Sequence, residues 1–306
     1  MFIIKHLVEP LELKEYRILN SRMILNPKEK LHYLNLEKGN EGEKNFNSLL
    51  CNLPGNFLVV NDILLEKNNT FFQIDTLLFF QNNIYLCDVK NYEGDYFIKE
   101  QRWYSVATGK EIQSPLTQVS RCISLFRRYL QDLDINFPVK EFLIFINPEF
   151  TLYEAPRHQS IVHPTQVNRF MNQLKSIPSK LNDHHFKLAE QIVKDHVKVN
   201  PYKKLPYFEF KQLKKGVTCK SYCSFMKNVG DKEMICKVCG YTEGLESAIM
   251  RSVGDLRILF PKQKIVQEWC NLQISKKAVR RILMKYLTVR HHGRYSYYVF
   301  PPYKNN

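Results

Sequence analysis

The chain has 306 residues and a formal net charge of +15. This length exceeds the usual size of one domain, so we expect two or three domains. The start, MFIIKHLVEPLELKEY, meets charges and a proline before a long apolar stretch develops. This argues against a signal peptide or a spanning helix, and it predicts a soluble, cytoplasmic protein without a membrane partner.

The positive charge is concentrated in the last third of the chain. Lys and Arg number 24 against 23 Asp and Glu over residues 1–200, and 21 against 7 over residues 201–306. A localised basic surface attracts polyanions, mainly nucleic acid, or an acidic membrane face.

Hydrophobic periodicity predicts a helical start followed by a meander of short strands. Residues 10–53 have a helix pattern, with Glu43 in the first turn of LEKGNEGEKNFNSLLCNL. Apolar runs separated by turns predict the following strands: 57–65, 71–80, 84–90 and 96–105. A Ser-Pro start predicts a helix over 114–133, and the continuous apolar run 141–147 predicts a strand that is buried on both faces. Two further helices are predicted within 165–198, which completes an α/β core.

Two aspartates lie inside neighbouring strand-like runs. The run FFQIDTLLFF contains Asp75, and IYLCDVK contains Asp88 and Lys90. Buried carboxylates that converge repel each other, so a shared hard cation such as Mg²⁺ would be needed between them. Lys90 projects from the same strand face as Asp88 and could hold or activate a water. The alternative is that these are strand-end charges facing water.

Several separated motifs resemble one known family in both order and spacing. They are Gly42-Glu43, QID ending at Asp75, DVKNYEG starting at Asp88, Trp103, and SPLTQ ending at Gln118. This set is similar to the NERD (nuclease-related) domain over roughly residues 39–150, and NERD domains resemble the PD-(D/E)xK superfamily of magnesium-dependent nucleases.

The resemblance implies a restriction-endonuclease-like mixed sheet flanked by helices, with catalytic roles for five residues. These are Glu43, Asp75, Asp88, Lys90 and Gln118. It also implies that Asp75 and Asp88 bind Mg²⁺ or Mn²⁺ and that nucleic acid is the substrate. Most relatives have glutamate at the position of Asp88, and the superfamily pattern admits either residue.

Four cysteines lie within 21 positions and form two paired knuckles. The set is Cys219, Cys223, Cys236 and Cys239, with Gly240 directly after the last. Four thiolates at this spacing can surround one Zn²⁺ tetrahedrally, which predicts a structural zinc ribbon. The alternative, two disulfides, does not suit a reducing compartment.

The carboxy-terminal sequence predicts three helices followed by a hairpin. Ser275 is a candidate N-cap of the last helix, on which Ala278, Val279, Ile282, Leu283 and Tyr286 share one face. This order resembles a winged helix that contacts double-stranded DNA. The candidate DNA-binding residues are Lys276, Lys277, Arg280, Arg281, Lys285, Arg290 and Arg294. The alternative is an ordinary solvated basic face on a small helical bundle.

These observations predict five segments. They are a helical extension (1–38), a nuclease-like domain (39–200), a linker (201–216), the zinc ribbon (217–242) and the winged-helix-like domain (243–306). The leading hypothesis is a Mg²⁺-dependent nuclease that its own carboxy-terminal region targets to DNA. The alternative is a catalytically silent nuclease fold that binds or regulates DNA.

Overall fold

The computed structural model describes residues 1–157, 160–220, 224–229, 232–261, 266–272, 275–292 and 295–299. They form two compact units. The first unit comprises Met1–Pro10 and Leu34–Lys203, and the second unit comprises Leu11–Tyr33 and the described residues of Lys204–Asn306. Among the described residues, no helix combines the length and the apolar character that crossing a bilayer requires.

Fifteen strands and eight α-helices are present in the described residues. The strands are β1 (Phe2–Lys5), β2 (Leu58–Lys67), β3 (Thr70–Phe79), β4 (Ile84–Lys90), β5 (Gly94–Lys99), β6 (Arg102–Ser105), β7 (Glu111–Ile112), β8 (Val139–Phe145), β9 (Phe150–Tyr153), β10 (Ile161–Val162), β11 (Lys227–Val229), β12 (Glu233–Ile235), β13 (Thr242–Gly244), β14 (Thr288–His292) and β15 (Tyr295–Val299). The helices are α1 (Leu11–Arg22), α2 (Pro27–Cys51), α3 (Pro115–Asp132), α4 (Val167–Ser176), α5 (Asp183–Lys194), α6 (Leu245–Leu259), α7 (Val266–Cys270) and α8 (Lys276–Tyr286).

The first unit is built on a six-stranded mixed sheet with the order β1-β2-β3-β4-β8-β10. Strands β2, β3 and β4 run antiparallel, whereas β8 is parallel to β4 and to β10. Helix α3 lies in the crossover between β4 and β8. Its N-cap Ser114 accepts a hydrogen bond from the Thr117 amide, and proline occupies its first turn.

Helices cover both faces of this sheet. On one face, α3 and α5 pack on Ile84 and Leu86 of β4. On the other face, α2 and α4 pack on Cys87 and Val89. This alternation along β4 follows from the two-residue period of a strand. The structure therefore has the predicted mixed α/β layers.

A second, four-stranded sheet with the order β7-β6-β5-β9 lies in the first unit. The single strand predicted over 96–105 is wrong, because the chain turns back at Glu100 and Gln101 and forms the β5-β6 hairpin. Both residues have left-handed backbone angles, with φ of 51° and 65°. Such angles are uncommon without glycine or asparagine, so no turn signal marked the position.

The second unit joins helix α1 to the carboxy-terminal third of the chain. Ile18 and Leu19 of α1 belong to the same apolar core as α6, α7 and α8. The Arg22 side chain is fully buried, with its guanidinium carbon 3.7 Å from the centre of the Trp269 ring. Its two terminal nitrogens donate to the carbonyls of Lys214 and Gly216, each at 2.9 Å.

The structure thus divides the amino-terminal region differently from the predicted extension over 1–38. The residues Leu11–Tyr33 pack within the second unit, and only Met1–Pro10 belong to the first. Helical periodicity shows that α1 has an apolar face, but it does not show which distant segment covers that face.

Candidate active site

The carboxyl end of strand β4 carries an ion pair between two predicted site residues. Asp88 and Lys90 are two positions apart, so they project from the same side of the strand. Lys90 Nζ lies 2.7 Å from Asp88 Oδ1. That oxygen is buried, and it has no hydrogen-bond partner of regular geometry among the described residues. A buried carboxylate oxygen with a free lone pair is a position where a cation would be stabilised.

Asp75 meets this pair from the neighbouring strand. The β3–β4 ladder ends at the pair of Thr76 and Cys87, and continuing this register places Asp75 opposite Asp88. The Val89 amide donates to Asp75 Oδ2 at 2.8 Å. This bond to the Asp75 side chain takes the place of the next backbone hydrogen bond between β3 and β4. This bond fixes the carboxylate of Asp75 against β4.

Helix α2 brings Glu43 to the same region. Glu43 precedes Phe46 and Leu50 by three and seven positions, so it shares the helix face that is buried on the sheet. Gly42 permits the close approach, because a Cβ atom there would lie 2.7 Å from Asn91 Cβ and 3.3 Å from a methyl of Ile146.

A chain of hydrogen-bonded polar side chains, from Asn47, Asn61 and Thr76, ties α2 to the strands beside the site. Asn61 Nδ2 donates to Asn47 Oδ1 at 3.0 Å, and Thr76 Oγ1 donates to Asn61 Oδ1 at 3.1 Å. These bonds join α2, β2 and β3 next to the predicted catalytic residues. Networks of this kind hold side chains in one arrangement.

The carboxylate cluster, which we define as Glu43, Asp75 and Asp88, has unusual electrostatics. Burial, followed by the charges of Asp75 and Asp62, raises the pKa of Glu43 to about 8. Burial and the charge of Asp88 raise the pKa of Asp75 to about 7. Ionising all three carboxylates together is therefore unfavourable at neutral pH unless a further cation lies near them.

Lys90 is held in its charged form. Burial opposes the charge of the ammonium group, but the charges of Asp88 and Asp75 outweigh it and raise the pKa of Lys90. One ammonium group cannot neutralise three carboxylates. The donor set consists of oxygen atoms only, which is the kind that a hard divalent ion such as Mg²⁺ or Mn²⁺ prefers. In the described part of the chain the three carboxylates do not all lie within 4.8 Å of one another, so a shared ion would have to draw their side chains closer together.

Gln118 is the predicted site residue with the fewest contacts to the other predicted site residues in the described part of the chain. Its side chain is exposed on the first turns of α3 and makes no hydrogen bond in the described part of the chain. One helical turn later, Cys122 Sγ donates to the Gln73 carbonyl of β3 at 3.3 Å. Residues four apart share a helix face, so Gln118 lies on the side of α3 that approaches β3.

Asp62 is a further acidic residue near the cluster that the sequence reasoning did not select. Its charge raises the pKa of both Glu43 and Asp75. Gln73 Nε2 donates to Asp62 Oδ1 at 3.1 Å, and Lys5 Nζ lies 3.4 Å from Asp62 Oδ2. The available signal was a third aspartate inside an apolar run, FLVVNDILL.

In the second unit, three of the four predicted zinc ligands lie together. The sulfur atoms of Cys219, Cys236 and Cys239 are within 4.8 Å of one another, and Cys219 Sγ is 3.7 Å from Cys239 Sγ. Ligands 2.3 Å from a tetrahedral ion would be about 3.8 Å apart, so this spacing fits Zn²⁺. All three are free thiols, whereas Cys223 lies outside the described residues.

The second cysteine pair forms a tight turn that prepares the thiols for a metal. The Gly240 amide donates to the Cys236 carbonyl at 2.9 Å, and Gly240 has φ of 73°. A hydrogen bond with Ser224 lowers the pKa of Cys236 to about 6, despite the opposing effect of burial. A low pKa favours the thiolate form that binds zinc. A hydrogen bond with the Tyr241 backbone lowers the pKa of Cys239, but burial and the thiols of Cys236 and Cys219 outweigh it, so this pKa is raised.

Helix α8 exposes most of the predicted DNA-binding cations. Lys276, Lys277, Arg280, Arg281, Lys285 and Arg290 are exposed, and Arg294 lies outside the described residues. The opposite face buries Val279, Ile282 and Leu283. Tyr286 was expected on that apolar face, but it is 42 % exposed and its hydroxyl donates to Glu246. Lys285 also pairs with Glu246, at 2.7 Å.

Comparison with known proteins finds one family match, within the first unit. Residues 38–146 match the family model of the nuclease-related domain, NERD. This confirms the resemblance drawn from the separated motifs, and the matched range contains all five predicted catalytic residues. It covers about a third of the chain. No curated protein and no solved structure matches.

Replacing Asp75 by asparagine tests the repulsion within the carboxylate cluster. Because the pKa of Asp75 is raised on folding, its charge costs stability above pH 7, and the cost fades as the pH falls toward the ordinary value of 3.8. In EDTA at pH 8, we expect Asp75→Asn to increase the free energy of unfolding by at least about 1.4 kcal/mol, the equivalent of one pKa unit. Denaturant titrations at pH 4 and pH 8 measure this.

The same variant should lose stabilisation by metal. Mg²⁺ should raise the melting temperature of the wild type but not that of Asp75→Asn, because the ion binds only the folded wild type. Asp95→Asn, at an exposed position, is the matched control and should behave as the wild type. A wild type that is equally stable with and without Mg²⁺ would contradict the metal site.

Removing one thiol tests the second metal centre. The purified wild type should contain one zinc ion per chain, and Cys236→Ser should lose it, together with the structure of the ribbon, because structural zinc contributes to folding. Metal analysis by mass spectrometry measures the content. Cys51→Ser, which changes an exposed thiol, should retain zinc. Reduced wild-type protein that is free of metal would exclude the site.

Proposed function

We propose that the protein is a Mg²⁺-dependent nuclease that hydrolyses phosphodiester bonds of DNA. The observation that carries the proposal is the meeting of the carboxylate cluster with Lys90 inside the range that matches the nuclease-related domain. Metal-assisted phosphodiester hydrolysis requires oxygen ligands for a hard cation and a nearby proton donor or base. This small region of the first unit offers both.

Asp75 and Asp88 would hold the ion, and Mn²⁺ would serve in its place. When bound, the ion offsets the charge that develops on the phosphate and polarises the attacking water. The buried Oδ1 of Asp88, whose one close partner among the described residues is the Lys90 ammonium, and the bond of Asp75 to β4 support these assignments. Glu43 adds a third carboxylate from α2, and Gln118 completes the pocket with an amide from α3.

Lys90 acts as a hydrogen-bond donor and positioning group. Its pKa is raised by Asp88 and Asp75, so the amine remains protonated and can donate a hydrogen bond to the attacking water or to a phosphate oxygen. Its pairing with Asp88 keeps the Nζ atom within the cluster. We therefore assign Lys90 to orientation and charge stabilisation instead of proton removal.

The second unit would bring the DNA to this site. We assign it a structural zinc ribbon, with Cys219, Cys223, Cys236 and Cys239 as the ligands, and a winged-helix-like region formed by α6 to α8 with β14 and β15. The exposed cations at the start of α8 support contact with the phosphates of double-stranded DNA. Lys285 contributes less net charge because of its pairing with Glu246.

Substitution of Lys90 separates catalysis from binding. We expect Lys90→Met to lower the rate of DNA cleavage in Mg²⁺ by at least about 100-fold, because it removes the donor from the reacting group, while DNA affinity stays unchanged. Gel assays on supercoiled and linear DNA, with binding measured in EDTA, test this. Lys99→Met, at an exposed position, is the control. Wild-type protein that binds DNA but cleaves no nucleic acid with any divalent ion would favour a silent DNA-binding protein.

Substitution of α8 tests the targeting role of the second unit. We expect the double variant Arg280→Ala and Arg281→Ala to weaken binding to duplex DNA and to lower the slope of log K against log salt by about 2, the loss of two phosphate contacts. Fluorescence anisotropy titrations at salt concentrations of about 50 to 200 mM measure this. The control Lys28→Ala and Lys211→Ala removes the same charge elsewhere in the unit. Unchanged affinity at every salt concentration would exclude α8.

A further inference from the structure

The first unit has an open cavity at the opposite end of the sheet from the carboxylate cluster. Its volume is about 1030 Å³, and it lies between the amino-terminal parts of β4 and β8, helix α3, and the segment from β9 to α4. Along β4, Tyr85 of this cavity precedes Asp88 by three residues, which is about 10 Å of strand. The cavity is therefore separate from the candidate active site.

Aromatic rings form the floor of this cavity. The ring centres of Tyr85 and Phe142 are 5.0 Å apart, and those of Phe142 and Phe170 are 4.9 Å apart. Tyr85 and Phe142 remain partly exposed, whereas Phe170 is buried. Lys140 Nζ lies 5.9 Å from the centre of the Tyr85 ring. Partly exposed rings in a recess offer a flat surface on which another ring can stack.

Cations from four elements form the rim. Arg127 comes from α3, Lys140 from β8, Arg157 from the segment after β9, and Arg169 from α4, and all four are exposed. Arg127 donates to the Val139 carbonyl at 2.8 Å, which fixes its guanidinium at the rim.

The charge of this rim is a local feature of the first unit. Glu141, 4.0 Å from Arg127, is the one acidic residue among the described residues that line the cavity. Residues 1–200 carry almost equal numbers of basic and acidic side chains, 24 and 23. A net surplus of cations at one recess therefore does not follow from the average composition. It marks this surface as complementary to an anion.

We infer that this basic groove, with Tyr85 and Phe142 as its floor and Arg127, Lys140, Arg157 and Arg169 as its rim, binds a single-stranded segment of nucleic acid. The inference rests on the proposed function, since it supplies a second contact for the substrate. Phosphates follow the rim, and a base stacks on the floor. This pairing of a positive groove with stacking rings is how proteins bind single strands without reading their sequence.

The shape of the groove favours a single strand over duplex nucleic acid and over small anionic ligands. In a duplex the bases are stacked on each other, so none can reach rings that lie in a recess. Small ligands occupy cavities of roughly 300–1,000 Å³ that enclose most of their surface. The groove is at the upper end of this range and is open, and its cations are spread around the rim, which suits an extended polyanion better.

Direct binding measurements test the inference without depending on catalysis. The full-length chain with Arg280→Ala and Arg281→Ala, in EDTA, is titrated into a fluorescein-labelled oligothymidylate and into a labelled duplex. Adding Arg127→Ala, Lys140→Ala and Arg169→Ala should weaken oligothymidylate binding and lower its salt slope by about 2, which corresponds to three single-strand phosphate contacts. Duplex binding should change little.

Two further variants make the outcome decisive. The control Lys180→Ala, Lys187→Ala and Lys194→Ala removes three exposed cations of the same unit that do not line the groove, and it should leave both affinities unchanged. Tyr85→Leu should weaken oligothymidylate binding about fivefold or more through lost stacking, with no change in salt slope. Circular dichroism confirms that each variant is folded.

The results separate this inference from the proposed function. If groove and control variants bind oligothymidylate equally, or if the groove variant loses duplex binding to the same extent as single-strand binding, the inference is wrong. If the wild type cleaves nothing but the groove variants show the expected losses, the nuclease proposal falls and the binding site remains.

Discussion

The architecture around the candidate site depends on one electrostatic constraint, the crowding of carboxylates that are buried, as Asp88 is, or half-buried, as Glu43 and Asp75 are. Glu43, Asp75 and Asp88 come from three different elements, and the charge of Asp62 adds to the repulsion among them. Lys90 and Lys5 each neutralise part of this charge. The fold brings the carboxylates together in spite of their repulsion, through the close packing at Gly42, the amides of Asn47 and Asn61, and the bond from Val89 to Asp75. Such strain is found where a protein is built to receive a counter-ion.

The local features of this site were largely predictable from the sequence. Asp75 and Asp88 stand out because a charge within an apolar strand is costly, and the two-residue period of a strand places Lys90 beside Asp88. The Ser-Pro start of α3 and the doubly buried strand β8 follow from equally local rules. The sequence pattern is sufficient where the secondary structure and burial of a residue depend on its neighbours in sequence.

Features that depend on distant partners were not predictable in this way. Asp62 was not predicted, because its position near the carboxylate cluster and its contacts with Gln73 and Lys5 depend on the folding of separate strands. The hairpin at Glu100 and Gln101 uses left-handed backbone that neither residue signals. Likewise, the periodicity of α1 indicates an apolar face, but only the fold shows that residues nearly 200 positions later cover it. Tertiary packing decides each of these cases.

The chain thus separates chemical tasks between its two units while interleaving them in sequence. The carboxylates of the first unit offer oxygen donors, which suit a hard ion, and three cysteines of the second unit offer sulfur donors, which suit Zn²⁺. The donor atoms of the two proposed sites therefore differ in kind. Each unit also has its own basic surface, on α8 in one and around the aromatic floor in the other.

The burial of Arg22 has a consequence for the order in which the protein matures. Its guanidinium requires Trp269 and the carbonyls of Lys214 and Gly216, which leave the ribosome long after α1. During synthesis the apolar face of α1 therefore stays uncovered until Trp269 has emerged from the ribosome. In a recombinant fragment that ends near residue 203, the apolar face of α1 would be exposed to solvent, which favours aggregation. The first unit has all of its residues once Lys203 has emerged, whereas the second unit can complete its core only after Trp269.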